Sequence, residues 1–520
     1  MSAKTRYDIL SSNRSQYLNI AKQASELTIP YLVHEDDNAT GARKLITPWQ
    51  SVGANGVVTL AAKLMLSLLP PQTSFFKLQV DESKLGEYGP QIKSELDLAF
   101  AKVERTILES IAASDDRVVV HQAMKHLVVS GNALIFMGKN GLKLFPLNRY
   151  VIDRDGNGNV IEIVTKEVIN KKIIEELMPD LLKGKVTQYN DDDSSDCDVY
   201  THVTVKGNRV NWHQEVYDQV VPKSQSKSPV DITPWLPLRF NTVDGEAYGR
   251  GRVEEFMGDL KSLEALSQAL VEGSAAAAKV VFTVSPSAST KPATLAAAGN
   301  GAIIQGRPDD IGVVQVQKGN DFQTAFAAAG TLEKRLSEAF LILSVRNSER
   351  TTAEEVRMTQ MELEQQLGGL FSLLTVEFLV PYLDRKLSVL QKNKIIPPIP
   401  KDVVKPTIVA GINALGRGQD RESLTMFMQT IAQTVGPEAM MQFINPDEVI
   451  KRLAAASGID VLNLVKSMQE IQGQQQQQMQ QQMAMQEQQN APAMAAVSQK
   501  QQQAEMQMAM QAQQAQQPPQ

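Results

Sequence analysis

Two long amphipathic segments separated by a short insert restrict how this chain can fold more than any other feature. The first spans about Gly251–Ala278, the second covers about 322–340, and both carry apolar residues at helical spacing. A helix with one apolar stripe must bury it against a partner surface, so the sequence predicts two paired helices that flank a small α/β module. The apolar positions are Val253, Phe256, Met257, Leu260, Leu263, Leu266 and Leu270, then Phe322, Phe326, Ala329, Leu332, Leu336 and Phe340. Within the module we expect strands at 279–284, 302–305 and 311–317 and a short helix at 292–298.

The region before these helices is predicted to mix helices and strands. A nearly all-apolar helix is expected to start with Thr47 as N-cap, Pro48 at the first helical position and Gln50 at the third, and to end at Leu69. Glycines in the stretch 156–158 indicate a β-hairpin, and residues 206–208 (Lys-Gly-Asn) indicate a second one. The other predicted elements are helices at Gln91–Ala113 and Val118–Ser130 and strands at Tyr150–Asp153, Val160–Val164, Val199–Val205 and Val210–Val216.

The chain from Thr351 to about 471 is predicted to be mainly helical, and the tail after it is left open. A capping-box pattern at Thr351 opens a long helix, which Gly368-Gly369 and Pro381 are expected to bend. An all-helical block should follow from 401 to about 471. Residues 474–520 hold 22 Gln and 7 Met, a low-complexity composition. Two interpretations of this tail stay open: a solvated disordered segment, or a helix that packs only against copies of itself.

No pattern of catalytic or metal-binding residues stands out. The phosphate-binding motif G-x-x-x-x-G-K-[ST] is absent, and the five histidines have no metal-ligand spacing. Residues 153–158 begin like a calcium-binding loop, but Val164 occupies the position that requires a bidentate Glu, so a hairpin turn is the better interpretation. Cys197, the single cysteine, lies in an acidic run that we expect to be an exposed loop. The sequence therefore predicts no enzyme, no cofactor and no metal site.

Charge and hydropathy argue against two further classes. The chain has 52 Lys and Arg against 58 Asp and Glu, a net charge of −6, whereas a protein that coats DNA through a broad face needs a strongly basic domain. No apolar run is long enough to span a membrane, and the first residues lack the apolar core of a signal peptide.

Several blocks, in order over roughly residues 5–465, resemble the head-to-tail connector, or portal, proteins of short-tailed podoviruses of the autographivirus type. No single block is decisive, but the ordered set is specific. The acidic loop and the Gln-rich tail fall outside it. The blocks are 47–56 (TPWQSVGANG), 63–70 (KLMLSLLP), 244–250 (DGEAYGR), 254–264 (EEFMGDLKSLE), 306–310 (GRPDD), 352–357 (TAEEVR), 367–369 (LGG) and 414–420 (ALGRGQD).

The resemblance implies an α+β, helix-rich, portal-type ring subunit with named parts. The module between the paired helices would be a clip that faces out of the capsid, and the paired helices would be a stem that lines a channel. The expected parts are an α/β wing (1–247), a stem helix (248–278), the clip (279–320), a second stem helix (321–344), a tunnel loop (345–351), a long kinked helix joining wing and crown (352–400), a helical crown (401–471) and a Gln/Met-rich tail (472–520).

The resemblance also implies where functional residues lie. The tunnel loop would project into the channel, where Arg346 and Arg350 would form rings of positive charge; alternatively Arg350 bridges to an acidic residue of a neighbouring copy. Lys334 and Arg335 would add channel-lining charge from the stem. In the clip, Arg307, Asp309 and Asp310 would contact a neighbouring clip, or form a solvated turn. The other residues of the tunnel loop are Asn347, Ser348 and Glu349.

A portal function follows as an expectation. The implied assembly is a homo-oligomer of twelve chains at one capsid vertex, between head and tail, made in the host cytoplasm and without contact to membranes. Expected partners are double-stranded DNA in the channel, the terminase, a tail adaptor protein, the major capsid and scaffolding proteins, and internal core proteins. The alternative is an internal virion or scaffolding protein, for which the Gln/Met tail would serve as a coiled-coil segment.

Overall fold

The computed structural model describes residues 1–34, 45–71, 75–80, 90–178, 196–277, 281–299, 301–314, 319–342, 365, 367, 369–397, 406–410, 416–434, 436, 449 and 500–510. The chain divides into two compact units, Met1–Arg417 and Gly418–Gln520.

The first unit begins with helices and then alternates between helices and strands. Its first helix, α1, lies against a β-sheet, where Tyr7 and Leu10 are buried among Val151, Val164 and Tyr200. The elements up to the paired helices are α1 (Ala3–Glu26), α2 (Val52–Leu68), β1 (Phe76–Val80), α3 (Pro90–Ala112), α4 (Asp116–Ser130), β2 (Asn132–Gly138), β3 (Gly141–Phe145), β4 (Tyr150–Arg154), β5 (Val160–Asn170), α5 (Lys171–Leu177), β6 (Asp196–Lys206), β7 (Arg209–Val216), β8 (Gln219–Val220), β9 (Ser226–Pro229) and β10 (Trp235–Arg239).

Two antiparallel sheets organise this region. The larger has the order β4-β5-β6-β7-β8, with β9 also paired to β7, and the smaller has the order β10-β2-β3. Both predicted hairpins are confirmed, since β4 pairs with β5 and β6 with β7. The calcium-loop lookalike is a hairpin turn, in which Asp155 Oδ1 accepts hydrogen bonds from the backbone N–H groups of Asn157 and Asn159.

The paired helices, the module between them and the long helix complete the first unit. The module is the strand pair β11–β12 with one short helix. The elements are α6 (Arg252–Glu255), α7 (Met257–Ala277), β11 (Val281–Val284), α8 (Pro292–Ala297), β12 (Ile311–Val314), α9 (Gly319–Ala339), α10 (Leu370–Leu374), a π-helical turn (Thr375–Leu379), α11 (Val380–Lys392) and β13 (Pro406–Ala410).

The described part of the long helix has an irregular backbone at the two places where the sequence predicts bends. Gly369 has a φ of +91°, a left-handed conformation that suits glycine, and α10 starts directly after it. Pro381 has no N–H to bond the Glu377 carbonyl. The turn just before it is π-helical, and Val380 N–H donates to Thr375, five residues back. One extra residue in a turn is a usual way for a helix to absorb such an interruption.

The second unit is described only in part. Helix α12 (Gly416–Thr434) leads into it, and residues 500–510 of the tail are helical with Met506, Met508 and Met510 exposed. The packing against other copies that the helical alternative requires stays a prediction.

One predicted helix start and one predicted all-helical block were wrong. Helix α2 starts at Val52 rather than at Pro48. Glu264 of α7 accepts hydrogen bonds from the backbone N–H groups of Trp49 and Gln50. Gln50 Oε1 accepts a hydrogen bond from Gly53 N–H and so caps the helix in place of Thr47.

The block from 401 to 471 is not all helical, because β13 pairs antiparallel with β1. Thr407, Ile408 and Val409 are β-branched and favour a strand.

Two further sequence expectations were wrong. Residues 302–305 form no strand; the stretch begins after Gly299 and Gly301, and Ile303 is fully exposed, so no sheet face holds it. Cys197 is not in an exposed loop. It is the second residue of β6 and is buried in an apolar cluster that includes Val199 and Val216. The acidic residues around it hid the alternating pattern of a strand.

Candidate functional site: the paired helices and the clip

Helices α7 and α9 form an antiparallel pair whose register is set by two contacts. Near one end, Arg335 Nη1 lies 3.2 Å from Asp259 Oδ2. Near the other end, a Cβ built on Gly273 would lie 2.5 Å from Phe322 Cε1, so the absence of a side chain makes room for the aromatic ring. The pair is anchored in the core of the first unit by Leu260, Leu263 and Leu336, all buried.

The two stem cations named from the sequence have different surroundings. Arg335 forms the ion pair with Asp259, and its side chain is 58% exposed, so the pair contributes at most about 1 kcal/mol in water. Lys334, its neighbour on α9, is exposed. The structure thus ties Arg335 to the other helix of the pair and leaves Lys334 at the surface of this single chain.

The clip is organised around Asp310. Its Oδ2 accepts hydrogen bonds from the backbone N–H groups of Ser289 (3.0 Å), Thr290 (3.3 Å) and Arg307 (3.4 Å) and from the hydroxyls of Ser289 (2.8 Å) and Thr290 (3.2 Å). The pKa of this carboxyl is lowered, chiefly because Ser289 donates hydrogen bonds to it. Arg307 and Asp309 are exposed beside it. Asp310 therefore ties the turn at 308–310 to 289–290 within one clip, a role that sequence reasoning missed.

Large apolar side chains are exposed on this hairpin of helices and on the clip. Phe326 is 74% exposed and Val271 52%, while in the clip Phe282 is 58% exposed and Ile303 fully so. Exposed apolar residues that cluster on one substructure mark a surface for another protein chain. No described residue of the single chain covers these side chains.

The predicted tunnel loop, Arg346 to Arg350, lies outside the described residues. The chain approaches it through Phe340, which is buried against Gly56 of α2, where an added Cβ would lie 2.7 Å from the ring. Leu341 follows with a φ of +57° and is also buried. Phe340 and Leu341, at the C-terminal end of α9, are thus held by burial.

Two polar networks fix the long helix to the rest of the first unit. Glu377, in the π-helical turn, accepts hydrogen bonds from the Arg239 guanidinium and backbone N–H. Tyr382 Oη donates to Asp116 Oδ2 at 2.5 Å, and Lys386 Nζ lies 2.8 Å from the same oxygen. Burial, together with the Asp116 charge, raises the pKa of Tyr382. The partners in each network are more than a hundred residues apart in the sequence, so no local sequence pattern could predict these contacts.

The histidines and acidic residues of the described part do not form a metal site. His126 is buried in α4, and burial lowers its pKa to about 4. His202 and His213 lie opposite each other on β6 and β7 and bond Glu162 and Glu215. In the part of the chain that the structure describes, no helix is both long and apolar enough to cross a bilayer.

Known proteins resemble this chain over most of its length. Residues 1–465 match the model of the family described as "Bacteriophage head to tail connecting protein". The portal protein of Enterobacteria phage T3 is 37% identical over 484 residues, 90% of this chain and 89% of that protein. The portal protein of Escherichia phage T7 is 36% identical over 483 residues, with the same shares covered.

Among solved structures, a chain from the neck of an empty GTA particle aligns with 79% of this chain and 90% of its own length, at 12% identity and a TM-score of 0.35. The family match covers both paired helices, the predicted wing and clip, and most of the predicted crown. The chain belongs to the family of bacteriophage head-to-tail connecting proteins.

Proposed function

We propose that this protein is a phage portal, a ring at one capsid vertex that passes DNA during packaging, retains it and releases it during ejection. The observation that carries the proposal is the similarity to the T3 and T7 portal proteins over nine-tenths of the chain. The exposed apolar residues of α7, α9 and the clip support it, because contacts with other chains would bury them. The ring order is twelve, and its place is the junction of head and tail, after synthesis in the host cytoplasm.

The channel would be lined by the paired helices. Each chain carries a net charge of −6, so the assembled ring is acidic and repels DNA phosphates, which lets DNA slide. The tunnel loop adds Arg346 and Arg350 as rings of positive charge, with Lys334 nearby on α9. Because the Arg guanidinium can pair with phosphate through two hydrogen bonds, such a ring would hold DNA against slipping.

The clip would bind the terminase first and the tail adaptor protein later. Its strand pair, held by Asp310, keeps Arg307 and Asp309 exposed for such contacts. The wing and crown would meet the major capsid and scaffolding proteins, and the helical tail would reach internal core proteins or DNA. No catalytic step is part of this proposal, and ATP hydrolysis for packaging would belong to the terminase.

Negative-stain microscopy of the purified full-length protein tests this proposal directly. Twelve-fold rings with a central hole are expected. Rods or monomers would contradict it and would favour the alternative, an internal virion or scaffolding protein. Deletion of residues 286–310 is a second test. The deletion should leave ring formation partly intact and abolish tail attachment. Normal tail attachment would refute the proposed role of the clip.

A further inference from the structure

A cavity of about 1030 Å³ lies between the larger sheet and the long helix of the first unit. The sheet lines it with aliphatic side chains that include Ile163, Val203 and Val210, and the helix faces them with Val376 and Val380. Pockets that bind small molecules have volumes of about 300–1,000 Å³ and are mostly apolar with a few polar groups. This cavity therefore has the size and the walls of a binding site.

One end of the cavity carries two guanidinium groups and one carboxylate. Arg239 is paired with Glu377, whereas Arg154 bonds only backbone carbonyls, those of Gly158 (2.8 Å) and Pro237 (3.1 Å). A Cβ built on Gly158 would lie 3.5 Å from Arg239 Nη1, so the two guanidinium groups meet at this glycine. Burial, together with the nearby Arg239 charge, lowers the pKa of Arg154 to about 10. A half-buried charge without a counter-charge is costly, so a carboxylate would be favourable beside Arg154.

The same end has hydrogen-bond donors in excess of acceptors. Trp235 lies two residues before Pro237 on β10, so the two side chains share a face of that strand, and both line the cavity. Trp235 is 4% exposed, and its Nε1–H has no acceptor in the described part of the chain, nor has Nε of Arg154. Buried N–H groups are nearly always paired. A ligand with acceptor oxygens therefore suits this end of the cavity.

The other two carboxylates of the lining belong to the opposite end. Asp384 lies seven residues beyond Glu377 on the helix, which is roughly 10 Å at 1.5 Å per residue. Asp231 is exposed in the 3₁₀ turn Val230–Ile232, and that turn contacts Arg385, the neighbour of Asp384. The cavity thus has a basic end at Arg154, aliphatic walls, and an acidic end at α11.

We propose that this cavity binds an organic carboxylate with an aliphatic body, with the carboxylate on Arg154 and the body between the aliphatic walls. A guanidinium can hold a carboxylate through two parallel hydrogen bonds. The walls are a helix and strands that already pair with each other, so they leave the backbone of a peptide without partners. A non-peptide chain therefore fits better than a protein segment. The inference goes beyond the portal function and does not depend on a ring, because the cavity lies within one chain.

Calorimetric titration of the full-length protein with octanoate tests the site. Octanol and octylamine are the matched probes, since they carry the same chain with a neutral or a positive end. Octanoate should bind once per chain and roughly ten-fold more tightly than octanol, because hydrogen bonds to charged groups are stronger than neutral ones. Equal affinities for octanoate and octanol, or no binding of octanoate at millimolar concentration, would overturn the inference.

Arg154→Met removes the charge and keeps an unbranched apolar side chain. It should abolish the preference for octanoate over octanol. The control is Arg209→Met, because Arg209 is exposed and, as the neighbour of Val210 on β7, lies on the other face of the sheet. The control should keep the preference. An Arg154→Met protein that still prefers octanoate would overturn the inference.

Val376→Trp covers the case in which Arg154→Met does not fold. Val376 lines the cavity and is 69% exposed, so the helix can carry a larger side chain there, and that side chain would obstruct the cavity. Octanoate and octanol should both bind much more weakly. Val389→Trp, at an exposed position of the same helix outside the cavity, should leave both affinities unchanged.

Two results with these probes would overturn the inference. The first is octanoate binding that Val376→Trp does not weaken. The second is binding of a capped, aspartate-containing apolar tetrapeptide by a protein that does not bind octanoate, which would favour a protein segment as the occupant. Neither result bears on the portal function, which is tested by the rings.

Discussion

Arg239 and Glu377 form a two-point ion pair that joins β10 to the π-helical turn of the long helix. Arg239 Nη2 lies 2.6 Å and Nε 2.9 Å from Glu377 Oε1, and the Arg239 backbone N–H donates to Oε2 at 2.9 Å. Both side chains are 12% exposed. All three bonds end on Glu377, which lies in the turn that Pro381 forces out of α-helical geometry. The pair therefore fixes the helix where its own hydrogen bonding is interrupted.

Removal of the Glu377 charge should destabilise the protein strongly. Glu377→Gln leaves the Arg239 guanidinium buried without a counter-charge, and we expect a loss of about 3 kcal/mol in the free energy of unfolding. Urea denaturation of the full-length chain measures it. The control is Glu109→Gln, whose partner Arg105 lies 2.9 Å away on the surface of α3 with both side chains over 60% exposed. That change should cost under ~1 kcal/mol, and equal losses in the two variants would contradict the importance of the Arg239 pair.

The sequence predicted local structure well where one pattern dominated. Both hairpins, the paired amphipathic helices and the left-handed backbone at Gly369 follow from periodicity and from glycine or proline positions. Strand β13 was missed because its few β-branched residues stand between helical segments, and it becomes a strand only by pairing with β1, more than 300 residues away. Tertiary pairing of this kind overrides local propensity.

The candidate site was predictable in outline and not in its contacts. The two helices and the clip could be placed from the sequence, whereas the roles of Asp310 and Arg335 could not. An acidic residue in a polar turn looks the same whether it faces solvent or, like Asp310, accepts several hydrogen bonds from Ser289 and Thr290. Such contacts depend on how chain segments meet in space.

Gly56 should be intolerant of any side chain. A Cβ there would lie 2.7 Å from Phe340 Cγ and 2.8 Å from its Cβ, at the buried junction of α2 and the base of α9. Gly56→Ala should cost about 1–3 kcal/mol of stability because the Phe340 ring must shift. Gly330→Ala serves as the comparison. Gly330 lies inside α9 with open space around it, so alanine should stabilise that helix by up to ~1 kcal/mol. Thermal melts that shift the same way for both variants would disprove the close packing at Gly56.

His126 should make the protein sensitive to mild acid. Its pKa falls from 6.5 to about 4 on folding, chiefly because burial disfavours the charged ring and secondarily because of Lys125. A group with a depressed histidine pKa contributes its full stability above pH 6.5 and loses it as the pH falls towards 4, because the unfolded chain then binds the extra proton. The loss over that window should be on the order of 3 kcal/mol.

His126→Leu should flatten this pH dependence, measured by urea denaturation at pH values from 4 to 7. His121→Leu is the control, since His121 lies on the same helix but is only partly buried; burial and Lys125 lower its pKa as well. A wild-type protein whose stability does not change between pH 6.5 and 4, or a His126→Leu variant as acid-sensitive as the wild type, would show that this residue does not titrate as its burial requires.

Arg346→Ala should impair DNA retention without affecting assembly. In the proposed portal the tunnel loop carries this guanidinium into the channel, and a ring of such groups always offers some that face a phosphate. The alanine ring lacks these contacts, so packaged DNA should leak or filled heads should become fewer, as counted by electron microscopy of particles from infected cells. Rings should still form, because the apolar contacts of α7, α9 and the clip are unchanged.

The matched control is Arg209→Ala, which removes one exposed arginine from the β6–β7 hairpin in the wing. It removes one positive charge from each chain, as Arg346→Ala does, so a general change in ring charge would affect both variants equally. A defect confined to Arg346→Ala supports a local contact with DNA in the tunnel loop. If Arg346→Ala and Arg350→Ala each package full-length DNA and hold it as stably as Arg209→Ala does, the loop is not a valve, because both proposed rings of positive charge would then be dispensable.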